Sequence, residues 1–200
     1  MRITGGEFGG RNLKVPKSDA IRPTQDRVRE ALFNIIQCEI AGADFLDLFA
    51  GSGAVGLEAL SRGAKSVTFV ETNRRHIAVL KENVDATSSS RQNKDGSNPV
   101  GRGEDAASTS VVAADCYHWL ASYSGPGFSI GFADPPYALG EERGYAQVLA
   151  SMLARNVIRP GGLFIAEMTA VQKAEETPGW ELFRDRTYGK TRLCIWRRKT

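Results

Sequence analysis

Residues 45–60 constrain the possible folds of this 200-residue chain more than any other stretch. The apolar run FLDLF, residues 45–49, is interrupted only by Asp47, and Ala50-Gly51-Ser52-Gly53 follows at once. Apolar residues then recur at helical spacing through Leu57 and Leu60. A strand, a glycine turn and a helix in that order predict an open, mostly parallel sheet whose ligands bind beyond the carboxyl ends of its strands.

The same alternation continues along the chain. A second strand is predicted at residues 66–70, ending on Glu71, and the next helix at residues 74–85. Later strands are predicted at residues 111–114, 128–132 and 163–166, with a helix at 145–154 and a closing hairpin at 180–188 and 192–197. A first helix begins after Pro23, and residues 1–4 and 12–15 predict a loose hairpin.

The length favours one domain with small appendages. We expect an N-terminal hairpin extension at residues 1–22 and a catalytic body at residues 23–200. Residues 87–110 contain six serines, three glycines and few apolar side chains, so they predict a flexible insertion loop.

Composition points to a soluble protein. Hydrophobic residues make up 42% of the chain and charged residues 24%, and no apolar run approaches a membrane span. The first residues lack the apolar core of a secretion signal, so we expect a cytoplasmic protein. Cys38, Cys116 and Cys194 are far apart, which predicts neither a disulfide framework nor a metal site.

Basic residues concentrate at the two ends of the chain, although the net charge is only +3. Residues 1–30 hold seven basic and four acidic side chains, and residues 184–200 hold seven and one. Such asymmetry is a hint of nucleic-acid contact, because Lys and Arg neutralise phosphates. A solvated basic tail explains the last three basic residues equally well. The candidate RNA contacts are Arg2, Arg11, Lys14, Arg22 and Thr24.

The residues at the strand ends favour a particular cofactor. The run from Gly51 to Gly56 matches the G-x-G-x-x-G pattern of dinucleotide sites, and Glu71 follows where an acid binds ribose. Asp47, however, would repel a pyrophosphate. S-adenosylmethionine carries positive charge and no phosphate, so it suits this site better. Asp115, at the third strand end, could accept from the adenine amino group. The complete predicted cofactor site comprises Asp47, Phe49, Gly51, Ser52, Gly53, Glu71, Thr72, Asp115 and Cys116.

Asp134-Pro135-Pro136-Tyr137 follows the fourth predicted strand and forms the predicted catalytic loop. The exocyclic amine of a nucleobase is a poor nucleophile, because its lone pair is conjugated with the ring. The Asp134 carboxylate and a loop carbonyl such as that of Pro135 could each accept one N–H and so turn the lone pair toward a methyl donor. Tyr137 could stack on the base, a contact worth about 1–3 kcal/mol. This chemistry fits guanine or adenine.

These motifs resemble those of class I S-adenosylmethionine-dependent methyltransferases. Three stretches are most similar to the bacterial RsmD family: RITGGEFGGR at residues 2–11, RPTQDRVREALFN at 22–34 and DLFAGSGAVGLEALSRGA at 47–64. The resemblance implies a Rossmann-like, seven-stranded, mostly parallel sheet with helices on both faces and its last strand antiparallel. It also implies methylation of a guanine N2 amine in 16S rRNA of the small ribosomal subunit. We expect a monomer that holds no metal ion.

Two other functions stay open from the sequence. A DNA adenine-N6 methyltransferase would use the same catalytic loop, although it would need a target-recognition domain for which the chain has no room. A non-catalytic RNA-binding or assembly protein would bind RNA without S-adenosylmethionine.

Overall fold

A seven-stranded mixed sheet organises the computed structural model, which describes residues 1–16, 26–89, 108–135, 137–174 and 176–200. The strand order is β3-β2-β1-β4-β5-β7-β6. Strands β1 to β5 are parallel, whereas β7 runs antiparallel between β5 and β6. The predicted fold class is thereby confirmed. The strands are β1 Asp44–Leu48, β2 Ser66–Glu71, β3 Ser108–Ala113, β4 Phe128–Ala133, β5 Ile158–Thr169, β6 Trp180–Tyr188 and β7 Thr191–Arg198.

Helices cover both faces of the sheet and create two core layers. They are α1 Asp26–Ile35, α2 Ala54–Ser61, α3 Arg74–Ser89, α4 Cys116–Ser122 and α5 Tyr137–Ala154. Helices α1, α2 and α3 pack with Phe45, Ile130 and Ile165 in a first core layer. Helices α4 and α5 pack with Leu46 and Phe164 in a second core layer. Consecutive strand residues face opposite sides, which explains why the central strands are apolar at nearly every position.

Several element boundaries differ from the sequence prediction. Helix α4 was not predicted, and α5 begins at Tyr137 rather than at residue 145. The predicted loop at residues 87–110 is too long at both ends, because α3 continues to Ser89 and β3 starts at Ser108. Thr87 is buried and its hydroxyl donates to the Asn83 carbonyl at 2.8 Å, which supports the last turn of α3. Residues 90–107 lie outside the described residues.

The N-terminal segment forms a looser structure than the predicted pair of strands. A single antiparallel bridge joins Arg2 to Asn12, and the turn between them is closed by Gly10 N–H donating to the Ile3 carbonyl at 2.9 Å. Ile3, Phe8 and Leu13 are buried in the first core layer. The short pairing suffices because these side chains bury their apolar surface against the body. The predicted division at residues 22 and 23 falls outside the described residues and stays a prediction.

A buried ion network fixes this segment to α1 and α2. The fully buried Arg29 places Nε 3.4 Å from Glu58 Oε2 and one Nη 3.0 Å from Asp26 Oδ1. The Glu58 carboxylate also accepts from Thr4 N–H at 2.7 Å and lies 2.8 Å from the Arg62 Nε. A buried charge needs such partners, since removing water from an unpaired ion is costly. Within the described ranges, no helix is long and apolar enough to cross a membrane.

Candidate active site

The candidate site lies where the order of the strands reverses. From β1 the chain proceeds through β2 to β3 on one side of the sheet, while β4 lies on the other side of β1. Leu48 pairs with both Val70 and Ala133, so the residues that follow these three positions share one edge. Ligands of open α/β sheets bind at such a switch point, outside the carboxyl ends of the strands.

The turn after β1 depends on backbone conformations that glycine favours. Phe49, Gly51 and Gly53 all have positive φ, at 57°, 55° and 79°. A Cβ on Gly53 would come within 2.3 Å of the Leu80 side chain, whereas a Cβ on Gly51 would have only the Phe49 carbonyl oxygen nearby, at 3.9 Å. Gly53 therefore allows close packing with the core, and Gly51 borders open space at the crevice.

Glu71, at the end of β2, holds this turn. Its buried carboxylate accepts from Gly51 N–H at 2.8 Å, Thr72 N–H at 2.9 Å and Asn73 N–H at 2.8 Å. The Nδ1 atom of His76 lies 3.6 Å from Glu71 Oε1. An ionised carboxylate offers about four acceptor positions, so the three backbone donors leave capacity for a ligand hydroxyl.

Asp47 has a structural partner. It is buried in β1, and its Oδ2 accepts from Gly56 N–H, in the first turn of α2, at 2.9 Å. Gly53, the residue that precedes α2, has no side chain with which to cap it, so Asp47 takes that task from the neighbouring strand. Burial raises the pKa of Asp47 to about 8; the bond from Gly56 opposes that rise, and the charge of Glu71 adds to it. Direct contact between Asp47 and a cofactor stays a prediction.

Cys116 and Asp115 support the crevice from α4. The buried Cys116 Sγ accepts from Phe49 N–H at 3.3 Å, and burial raises the pKa of this thiol to about 12. The exposed Asp115 precedes α4 and its Oδ1 accepts from His118 N–H at 2.9 Å. The ring of Phe49 meets that of Tyr117 edge to face, with centroids 5.7 Å apart. Ser52 is buried and its carbonyl accepts from the Asn83 side chain at 2.9 Å.

The predicted catalytic loop begins directly after β4, on the other side of the switch point. Asp134 is half-buried and Pro135 is buried. Pro136 lies outside the described residues. Tyr137 begins α5, but its side chain is not among those described. The loop is therefore on the same sheet edge as Phe49 and Glu71, as the sequence predicted.

Comparison with known proteins agrees with this architecture. The family described as "Conserved hypothetical protein 95" matches residues 1–197. Ribosomal RNA small subunit methyltransferase D of Escherichia coli K12 is 33% identical over 201 residues, covering all of this chain and 90% of that protein. The chain belongs to the RsmD family. YlbH of Bacillus subtilis is 31% identical over 200 residues, covering both chains completely.

Solved structures of similar proteins have the same fold as this RsmD-family protein. The structure of yhhF from Escherichia coli superposes with a TM-score of 0.79 at 32% identity, covering all of this chain and 98% of the other. The hypothetical protein TTHA0928 from Thermus thermophilus gives a TM-score of 0.72 at 34% identity, covering 98% of each chain. The fold of this RsmD-family protein is the Rossmann-like fold of class I methyltransferases.

Tyr145 and Glu167 of this RsmD-family protein lie near the predicted catalytic loop and were not among the predicted site residues. Tyr145 is buried, and its hydroxyl donates to the Glu167 carbonyl at 2.7 Å. The pKa of Tyr145 is raised well above its usual value by burial first and then by the negative charge of Asp134, with a smaller contribution from Glu167. Glu167 follows the predicted fifth strand, so the rule that acids end the strands would have identified it.

The predicted RNA contacts of this RsmD-family protein that the structure describes already bind other residues of the chain. Arg2 Nε lies 3.9 Å from Asp26 Oδ2. Arg11 donates to the Ala86 carbonyl at 2.6 Å and lies over the Phe8 ring. Lys14 forms an exposed ion pair with Glu82 at 2.7 Å. Arg22 and Thr24 lie outside the described residues. Within the described residues, no group of three or more His, Cys, Asp and Glu side chains could hold a metal ion.

Proposed function

We propose that this protein transfers a methyl group from S-adenosylmethionine to the exocyclic N2 amine of a guanine in 16S rRNA of the small ribosomal subunit. The observation that carries the proposal is the arrangement at the switch point. The glycine turn follows β1, Glu71 ends β2 on one side of β1, and the Asp134 loop follows β4 on the other side. The relatives named ribosomal RNA small subunit methyltransferase D support an RNA substrate from the small subunit.

The residues at the glycine turn suit S-adenosylmethionine. Gly51 borders open space, and Glu71 retains capacity to accept from a ribose hydroxyl. Glu71 and Asp115 are acids at the ends of β2 and β3, and they favour a cationic ligand over a pyrophosphate. Bound here, S-adenosylmethionine supplies a methyl group on a positively charged sulfur. The residues that would hold it are Asp47, Phe49, Gly51, Ser52, Gly53, Glu71, Thr72, Asp115 and Cys116, of which Asp47 acts through the α2 turn.

The catalytic loop would orient the target amine. The Asp134 carboxylate accepts one N–H of the amine and the Pro135 carbonyl accepts the other, so the nitrogen lone pair is directed away from both. Once the nitrogen carries the methyl group it must lose a proton, and the Asp134 carboxylate is the nearest base of the loop. Tyr137 stacks on the extruded base and offsets part of the cost of unstacking it. Pro135 and Pro136 keep the loop stiff.

One assay tests this proposal. Methyl-labelled S-adenosylmethionine is offered with unmethylated small subunits, naked 16S RNA and duplex DNA, and the labelled nucleotide is then mapped. We expect label at guanine N2 in RNA. Asp134→Ala should abolish transfer while its affinity for S-adenosylmethionine, measured by calorimetry, stays within about threefold of wild type. Asp85→Ala, on the exposed side of α3, is the matched control and should retain full activity.

The other outcomes identify the rival functions. Label only at adenine in DNA would make the protein a DNA adenine-N6 methyltransferase, since the Asp134 loop suits either amine. Absence of S-adenosylmethionine binding would favour a non-catalytic RNA-binding or assembly protein. Simultaneous loss of binding and transfer in Asp134→Ala would make the loop structural. We also propose that the protein is cytoplasmic and acts as a monomer without a metal ion.

A further inference from the structure

We propose that Glu167 selects guanine over adenine, by accepting the N1–H of the base whose N2 amine is held by Asp134. The inference rests on the proposed function and deepens it. The catalytic loop alone cannot distinguish the two purines, because each presents an exocyclic amine with two N–H donors. A second acceptor beside the first would provide the distinction.

The register of the sheet puts the two acids side by side. Phe132 pairs with Ile165 and Ala133 with Ala166, so Asp134, the residue directly after β4, comes next to Glu167 of β5 in this register. Such strands lie about 4.8 Å apart. The two acids are therefore neighbours at the edge of the sheet that carries the catalytic loop.

Both acids also belong to the same face of the sheet. Along β5, Ile165 packs in the first core layer and Ala166 in the second, so Glu167 lies on the side of Ile165. Along β4, Phe132 and Ala133 alternate in the same way, and the same alternation continued by one residue beyond the strand would put Asp134 on that side too. The neighbour of Glu167 on β7 is the buried, apolar Leu193.

Tyr145 anchors this arrangement from the opposite face. Its hydroxyl donates to the backbone carbonyl of Glu167 at 2.7 Å, and its ring packs in the second core layer. The charges of Asp134 and Glu167 both raise the pKa of Tyr145, although burial is the larger cause. Tyr145 thus binds the backbone of Glu167 and holds this part of β5 in position. Glu167 itself is only 9% exposed, so its carboxylate is held by its surroundings.

The chemistry of the two bases decides what such a pair accepts. Guanine presents N1–H and its N2 amine as neighbouring donors on the Watson–Crick edge, whereas adenine presents N1 as an acceptor beside its N6 amine. An ionised carboxylate accepts hydrogen bonds and cannot donate one. When both are ionised, two adjacent carboxylates match guanine, whereas adenine would place the N1 lone pair against the Glu167 carboxylate. Rejection by an unmatched polar group is a strong source of specificity.

The test compares two bases at one position. After the target nucleotide has been mapped, 16S RNA is assembled by splinted ligation with either guanosine or 2-aminopurine there, and reconstituted into small subunits. 2-Aminopurine keeps the N2 amine but has an acceptor at N1. We expect the wild type to prefer guanosine by about 100-fold or more in single-turnover rate. Glu167→Gln introduces an amide that can donate a hydrogen bond. We expect it to lower the single-turnover rate on guanosine, so that the ratio of guanosine to 2-aminopurine rates falls at least tenfold.

Several outcomes would overturn the inference. Equal losses by Glu167→Gln on both bases would give Glu167 a structural role only. Glu167→Asp, which keeps the carboxylate, should preserve the preference for guanosine; loss of that preference would count against the proposal. Glu181→Gln, on the exposed edge strand, is the matched control and should change neither rate. Melting temperature and S-adenosylmethionine affinity verify folding. If the wild type methylates guanine N2 and Glu167→Gln leaves the ratio of guanosine to 2-aminopurine rates unchanged, only the role of Glu167 is refuted. If the wild type forms no product at guanine N2, the proposed function is refuted as well.

Discussion

The Asp47 carboxylate accepts a hydrogen bond from the Gly56 N–H at 2.9 Å, joining the central strand to the first turn of α2. Burial raises the pKa of this carboxyl from 3.8 to about 8. Between these two values the folded protein keeps a proton that the unfolded chain has lost. Rising pH therefore lowers the contribution of Asp47 to stability across the window from about 4 to 8.

Asp47→Asn should remove this pH dependence. The amide oxygen can still accept from Gly56, and the side chain stays neutral at every pH. Relative to the variant, the wild type should lose up to about 1.4 kcal/mol of unfolding free energy for each pH unit in this window. Urea denaturation at several pH values from 4.5 to 8 measures the difference. Wild-type and variant curves that stay parallel would contradict the shifted pKa, and Asp85→Asn is the control for a surface charge.

Alanine substitutions at Gly51 and Gly161 separate an effect on stability from an effect on S-adenosylmethionine binding. Both have positive φ, and at neither position would an added Cβ meet a non-neighbouring atom within 3.4 Å. Alanine should therefore cost each about 1–2 kcal/mol of stability from backbone strain alone. Only Gly51→Ala should weaken S-adenosylmethionine binding, by at least about tenfold, a loss of about 1.4 kcal/mol. Calorimetry and denaturation measure both quantities; equal affinities would remove Gly51 from the cofactor site.

Glu71→Gln tests the predicted ribose contact. The amide replaces one accepting oxygen with a donor, so the variant cannot satisfy all three backbone N–H groups and a ligand hydroxyl. We expect S-adenosylmethionine affinity to fall about 10- to 100-fold, in line with the loss of a hydrogen bond to a charged group. Glu82→Gln, on the exposed side of α3, should bind like the wild type. Unchanged affinity in Glu71→Gln would leave Glu71 with its turn-holding role alone.

Arg29→Met should destabilise the protein strongly. The substitution removes the cation and leaves the buried carboxylate of Glu58 with less compensation. Breaking a buried ion pair in this way costs about 3–5 kcal/mol. Arg27→Met, on the exposed face of the same helix, should stay within about 0.5 kcal/mol of the wild type. Chemical denaturation compares the two, and a loss near that of Arg27→Met would show that the network contributes little.

The parallel strands were predictable because each contains a short apolar run with an acid within it or close after it. Helix α4 was not predictable in this way, because the strand-end position of Asp115 indicates a cofactor contact. Asp is also a favoured residue at the N-terminal cap of a helix, which is the position that Asp115 occupies. The start of α5 was hidden by Gly140, Gly144 and the charged residues between them, which interrupt the apolar spacing. Local patterns therefore predicted the sheet better than the helices around the crevice.

The side-chain partners in the site were less predictable. β1 is buried on both faces, so the alternation of its residues could not tell whether Asp47 faces a ligand or α2. The contact between Tyr145 and Glu167 depends on how α5 crosses the sheet, which no local pattern encodes. Sequence identified which residues gather at the strand ends, whereas the hydrogen bonds among them required the assembled fold.

The N-terminal segment is synthesised well before the residues to which it binds. Thr4, Phe8, Arg11 and Lys14 hydrogen-bond to partners that follow them by 53 to 75 residues. At about 5–20 residues per second, these partners are translated roughly 3–15 s later. During that interval the buried Ile3, Phe8 and Leu13 lack the parts of the first core layer that α2 and α3 supply. This segment is thus made before the partners that hold it, and a nascent chain halted before α3 would expose it to chaperones and proteases.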